Sequence, residues 1–235
     1  MPLSAPADLV ERLGVSTVEW AIVGLGNPGP TYRESRHNAG FWVVERLADR
    51  AGVQWATDRS GALVTRVTLA GRQVFLAEPL GYMNRSGGPT QALLHYYRIP
   101  AERLIVVHDD MDLPVGWLRV KRGGGHGGHN GLRSIHQALG TADYLRVKVG
   151  IGRPRAGEEA TGHVLGKVAP TERSLLEVAC ERAAEAVETI VSDGVTTAMN
   201  RFNSAPKTDG GDPAPPQPPP LRSAPKECRK PGRHG

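Results

Sequence analysis

Apolar residues recur along this chain with two alternating periods, and the switches between them outline its elements. Stretches rich in β-branched and aromatic residues at Val18–Leu25, Leu63–Leu69, Gln73–Ala77, Arg103–His108, Trp117–Arg122 and Tyr144–Ile151 predict strands. Gly71-Arg72 fits a hairpin turn between the second and third of these, so part of the sheet is antiparallel. Spacings of three and four predict helices between them. Phe41, Val44, Leu47 and Ala48 share one face after a Ser35 cap candidate, and a second helix follows Ser86 with Pro89 in its first turn. Leu132, Ile135, His136 and Leu139 mark a third helix, and Leu175, Val178, Ala179, Ala186, Ile190 and Val191 a long fourth. Strands alternating with helices in this order predict an α/β fold: a single domain with a mixed, mostly parallel central sheet sandwiched between helices.

The pattern stops at both ends. Residues 1–17 form an N-terminal extension whose Ala7–Leu13 fragment fits either a short helix or a disordered lead. Residues 204–235 have few apolar side chains to bury and hold prolines 213, 215, 216, 218, 219 and 220, which predicts a disordered, proline-rich basic tail. The domain is therefore expected over residues 18–203. Lys207, Arg222, Lys226, Arg229, Lys230 and Arg233 against Asp209, Asp212 and Glu227 give the tail +3 of the chain's formal +5. Global charge thus says little about the domain itself.

With 235 residues and 39% apolar content, the chain can bury one sizeable core. Cys180 and Cys228 are too few for a disulfide framework, Cys180 reads as a core residue, and a reducing cytoplasm is the simpler setting. No apolar run approaches the ~20 residues of a membrane span, and no signal-peptide layout opens the chain.

Four polar clusters follow strand ends, where open α/β sheets place ligands. In the first, Gly24-Leu25-Gly26-Asn27-Pro28-Gly29 matches the dinucleotide pattern, which would suggest a nucleotide-binding oxidoreductase. Pro28 removes an amide that would face a pyrophosphate, however, and the helix starts only near Ser35. The glycines read better as a tight turn that exposes Asn27 beside His37. The second cluster runs from Glu78 to Gly88 and contains Tyr82-Met83-Asn84, where an amide offers donors and an acceptor without titrating. The third, His108-Asp109-Asp110-Met111-Asp112, could ligate a hard cation, orient a histidine or be a solvated turn. The fourth, Gly123–Leu132, has five glycines in six positions and allows close backbone approach to an anion. His126 and His129 within it lack the further ligands of a zinc site. Around it lie Arg119, Lys121, Arg122, Arg133, Arg146 and Lys148, opposed only by Asp143. Strand alternation puts Arg119 with Lys121, and Arg146 with Lys148, as rows suited to a phosphate backbone.

In this order, Gly24–Gly29 with Tyr32 and Arg36–Gly40, Tyr82–Gly87, His108–Pro114 and Gly123–Leu132 closely resemble the bacterial peptidyl-tRNA hydrolase family, over about residues 18 to 203. The resemblance implies a monomeric enzyme without a cofactor that hydrolyses the ester between a peptide and the 3′ ribose of tRNA; no metal site is expected in the clusters. Its catalytic histidine corresponds to His37 and its orienting aspartate to Asp109. Asn27, Tyr32, Met83, Asn84, His129 and Asn130 correspond to substrate-binding positions, and Lys121 and Lys148 to tRNA-binding ones. Ser35 and Gly81-Tyr82 depart from common family residues without removing a functional group. The chain has no Gly-x-Ser-x-Gly elbow and no cysteine in these clusters, which argues against an acyl-enzyme. A non-catalytic, splicing-factor-like RNA-binding protein on the same scaffold is the alternative, disfavoured by retention of His37, Asp109 and the three asparagines.

Overall fold

Strand β1 (Trp20–Gly24) is buried along its whole length, as a strand covered on both faces must be. It belongs to a computed structural model that describes residues 18–155 and 157–204; the expected extension at 1–17 and the tail from 205 lie outside the described residues. On one side β1 pairs in parallel with β4 (Arg72–Pro79), and on the other with β5 (Leu104–Asp110), which pairs in parallel with β7 (Leu145–Gly150). Antiparallel strands complete the flanks. They are β3 (Ala62–Leu69) and the two-residue β2 (Ala56–Thr57) beyond β4, and β6 (Leu118–Arg122) beyond β7, giving the order β2-β3-β4-β1-β5-β7-β6. The mixed sheet with a parallel centre matches the expected α/β class.

Alternation along β1 divides the core in two. Trp20 and Ile22 join Val43, Val44 and Leu47 of α1 (Ala39–Ala51), with α5 (Pro170–Asp193) and α6 (Val195–Phe202) on the same face. Ala21, Val23 and Leu25 face Leu93 and Leu94 of α2 (Gly87–Tyr97) and Leu132 and Ile135 of α3 (Asn130–Leu139). A short helix, α4 (Ala160–Leu165), precedes α5. None of the described helices is long and apolar enough to cross a membrane.

Several expectations need correction. The helix after Ser35 begins at Ala39, because residues 36–38 form a 3₁₀ turn, and the Ser35 side chain makes no cap bond. The β3–β4 turn is Ala70-Gly71 rather than Gly71-Arg72; both turn residues have positive φ (50° and 77°), the twist a two-residue hairpin requires. Leu175 and Val178 on α5 are 52% and 58% exposed, since the helix instead buries Leu176, Ala179, Cys180, Ala183 and Val187. Cys180 is core, as expected, and burial pushes its thiol up to about 12. β2, α4 and α6 had no clear signal. β2 is two exposed residues, α4 is six residues long, and α6 opens with Val-Thr-Thr, poor helix formers held by burial of Ala198 and Phe202.

A backbone contact between two glycines sets where α1 begins. A Cβ on Gly24 would fall inside van der Waals contact with the Gly40 carbonyl oxygen, and a Cβ on Gly40 would meet Leu25 and the Val107 carbonyl. Both must therefore be glycine for α1 to rest its backbone on β1 and β5. That close approach brings the turn preceding α1 to the carboxyl ends of these two strands.

Candidate active site

The chain leaves β1 toward β4 on one side and returns on the other as β5, so the crevice beyond the ends of β1 and β5 is the topological switch point of the sheet. Asn27 follows β1, Asp109 is near the end of β5, and His37 lies in the 3₁₀ turn between β1 and α1. Their arrangement is built largely from amides. Asn38 Oδ1 accepts the Asn27 backbone N–H at 2.8 Å, and Asn38 Nδ2 donates to the Asn27 carbonyl at 3.0 Å, clamping the glycine-rich turn to the histidine turn. Asn27 Oδ1 in turn accepts the Met83 N–H at 2.7 Å. Beside His37, the buried Arg36 donates to the His163 and Lys167 carbonyls and pairs with Glu172 at 2.6 Å, tying the turn to the chain around α4 and α5.

Asp109, nearly fully buried, receives two imidazoles on one oxygen: His37 Nδ1 lies 2.8 Å and His129 Nε2 3.0 Å from Oδ1. Backbone geometry orients the second ring. His129 Nδ1 accepts the N–H groups of Gly131 and Leu132, capping α3, which turns Nε2 toward Asp109 as the donor. Burial pushes the Asp109 carboxyl up, but electrostatic attraction to the two imidazoles and their hydrogen bonds outweigh it and hold the group well below the usual carboxylate range. Asp109 is thus an anion that accepts His37 Nδ1–H and leaves Nε2 of His37 with a lone pair. Burial pulls the His37 pKa down, while the charge and hydrogen bond of Asp109 more than restore it, to above 6.5. His108, one residue before Asp109, is driven well below 6.5 by burial, His129 and Lys148; it is neutral and packs edge-on against His129 at 4.9 Å.

Three ligand-type atoms of His37, Asp109 and His129 lie within 4.8 Å of one another, with a ring nitrogen of each imidazole at hydrogen-bond distance from the same Asp109 oxygen. The third cluster's carboxylates diverge. Asp109 takes the imidazoles, Asp110 pairs with Lys148, and Asp112 pairs with Arg153 at 2.7 Å. Of the three, Asp109 is the one whose carboxylate contacts histidine side chains.

A cavity of about 260 Å³ opens beside this group, with His37, Asp109, Asp110, His129, Asn130 and Lys148 in its walls. The glycine-rich segment forms one rim and α4 contributes Thr161 and Val164. Register pairs Arg119 with Lys148 and Lys121 with Arg146, so the two basic rows share a single face of the sheet. Arg146 corrects the expected phosphate row. It is 1% exposed, donates to the carbonyls of Gly124 and Gly125 and approaches His136 Nε2 at 3.0 Å, so it pins the loop rather than meeting solvent. Lys121 is exposed beside Gly124; partial burial and the neighbouring cations Lys148, Arg146 and Arg119 hold its ammonium below 10.5.

The expected site residues thus fall into groups. His37, Asp109 and His129 are in direct contact. Asn130 borders the same cavity, its Oδ1 accepting from Arg133 at 2.7 Å. Asn27 and Met83 are joined by their hydrogen bond, exposed Asn84 follows in the same 3₁₀ turn, and the Tyr32 ring stands edge-on to exposed Tyr82 at 6.3 Å. Lys148 is the half-buried partner of Asp110 rather than a free surface charge. Sequence reasoning missed Asn38 as the clamp on Asn27 and Arg146 as the pin of the loop. Asn38 stood next to His37 in plain view, whereas no spacing rule distinguishes a buried arginine on a strand from an exposed one.

Comparison with known proteins places the chain in one family. The family model described as peptidyl-tRNA hydrolase matches residues 21–210. The chain is 52% identical over 185 residues to the peptidyl-tRNA hydrolase of Frankia casuarinae, covering 79% of this chain and 94% of that protein. It is 48% identical over 191 residues to the one from Nocardia farcinica, covering 81% and 99%. Among solved structures, peptidyl-tRNA hydrolase from Acinetobacter baumannii superposes with a TM-score of 0.75 at 42% identity, covering 80% of this chain and 96% of that one.

Proposed function

Since the chain belongs to the peptidyl-tRNA hydrolase family, we propose that its domain, residues 18–203, hydrolyses the ester between a peptide or N-blocked amino acid and the 3′ ribose of tRNA, with His37 as general base. It does so in the cytoplasm, as a monomer and without a cofactor. The observation that carries the assignment is the shared oxygen of Asp109, which accepts Nδ1–H of His37 at 2.8 Å and so directs the Nε2 lone pair outward. A water at Nε2 gives up its proton as its oxygen attacks the ester carbonyl, and the imidazolium that forms is balanced by the Asp109 anion. The same proton then passes to the departing ribose oxygen. His129 steadies Asp109 as a second donor while its ring caps α3. Asn84 and Asn130 present exposed amides that hold the peptide and donate to the developing oxyanion, and Asn27 fixes the Met83 segment beside them. Tyr32 and Met83 line the substrate's path, and Lys121 and Lys148 meet phosphates of the tRNA.

The test is release of N-acetyl-amino acid from acyl-tRNA by purified wild-type protein and by His37→Ala. Replacement should lower turnover at least ~10²-fold, the lower range for a positioned base, with tRNA binding retained. Near-normal turnover would remove His37 from the mechanism. A wild-type protein that binds tRNA and releases nothing would be a non-catalytic RNA-binding protein.

A further inference from the structure

Four cations share one face of the β6–β7 pair, but they are not equally available. Arg146 is spent on the glycine loop. Arg119 and Lys121 form no ion pair among the described residues, although Lys121 feels the Asp110 charge at longer range. Lys148 is held by Asp110 Oδ2, with the two side chains 22% and 11% exposed. Asp110 itself is fixed, because its Oδ1 accepts the Asp112 N–H at 2.8 Å in the turn after β5. Lys148 and Asp110 both line the cavity beside His37, so an anion that reaches Lys148 there also meets the Asp110 carboxylate.

We propose that Asp110 is an internal counter-anion that occupies Lys148 in the free protein and opposes a tRNA phosphate at the same ammonium, so that it sets how tightly substrate and product tRNA are held. The inference rests on the reading that Lys148 meets a phosphate. A lysine has three donors and could touch both anions, but the carboxylate and the phosphate would then stand a few ångströms apart and repel. Because Asp110 is anchored by its turn, it cannot withdraw, and the repulsion is charged against binding in every complex. The consequence is a faster release of discharged tRNA than an unopposed lysine would allow.

Asp110→Asn removes the charge and keeps an acceptor for the Asp112 N–H; Asp110→Ser does the same with a hydroxyl, in case the amide packs poorly. Binding of deacylated tRNA is measured by fluorescence anisotropy between 50 and 300 mM salt for both variants, for Lys148→Ala and for the Asp110→Asn, Lys148→Ala double variant. The expected result is about fourfold tighter binding at low salt, the size of repulsion between unit charges about 5 Å apart at water-like dielectric. The slope of log K against log salt should steepen by about 0.7–0.9, one more phosphate contact, and both effects should be clearly smaller when Lys148→Ala is the background, the remainder acting through Lys121. If Lys148→Ala weakens binding while the Asp110 variants bind no tighter than wild type, the pair merely orients the lysine and the inference fails alone. If Lys148→Ala leaves affinity and slope unchanged, the phosphate reading of Lys148 fails and takes the inference with it.

Discussion

Glu78→Gln should change how stability depends on pH. Glu78 lies near the end of β4 on the α1 face, is 6% exposed, and its Oε1 has no hydrogen-bond partner among the described residues. Burial, then the charge of Glu45, pushes its carboxyl from 4.5 up to about 8. The native state therefore keeps a proton that the unfolded chain releases between these two values. Stability conferred by this group is fully present below pH 4.5 and is lost as pH rises to about 8. At ~1.4 kcal/mol per pH unit, that interval corresponds to ~5 kcal/mol in a rigid, dry site. Water entering around the carboxylate reduces the cost, so ~2–4 kcal/mol is expected. Urea unfolding of wild type and Glu78→Gln at pH 5, 6, 7, 8 and 9 measures it. The wild-type free energy should fall relative to the variant's by that amount between pH 5 and 8, then run parallel above it. Comparing the two slopes cancels the constant cost of burying the glutamine amide. Curves that stay parallel throughout would show that Glu78 ionises freely in the folded protein, and the reasoning from its burial would be wrong.

The parts of this molecule that were legible in the sequence are those set by local rules. Alternation and helical spacing marked the six longer strands, α1 to α3 and much of α5, because each buries a regular stripe. His37 and Asp109 could be named from the motifs that resemble a known family, and the structure places them 2.8 Å apart across 72 residues of chain. What escaped depends on contacts distant in sequence. Arg146 and Lys148 share a strand and a face, yet one is locked under Gly124 and Gly125 and the other is paired with Asp110. Alternation gives the face but not what covers it. Likewise the small-residue stripe of α5 outcompetes Leu175 and Val178 for the sheet because it allows closer approach, a choice made by the surface opposite rather than by hydrophobicity alone.

Two further expectations bear on the site itself. Asp109→Asn leaves burial to pull the His37 pKa down without the opposing charge, so the acid limb of the kcat/KM profile should move to lower pH while the maximum falls by ~10²-fold or more; an unmoved limb would show that Asp109 does not govern His37. Arg146→Met removes the donors to the Gly124 and Gly125 carbonyls and the contact with His136, at a cost of ~1–3 kcal/mol for groups that can partly turn to water. Hydrogen exchange at amides 123–129 should quicken roughly tenfold or more, since each ~1.4 kcal/mol of lost protection is a factor of ten. Turnover should fall with it, because the loop ends at His129, the second donor to Asp109. A phosphate-contacting arginine would behave in the opposite way, losing tRNA affinity and salt dependence while loop exchange stayed unchanged. That outcome would return Arg146 to the basic row and take away its role as the pin of the glycine-rich loop.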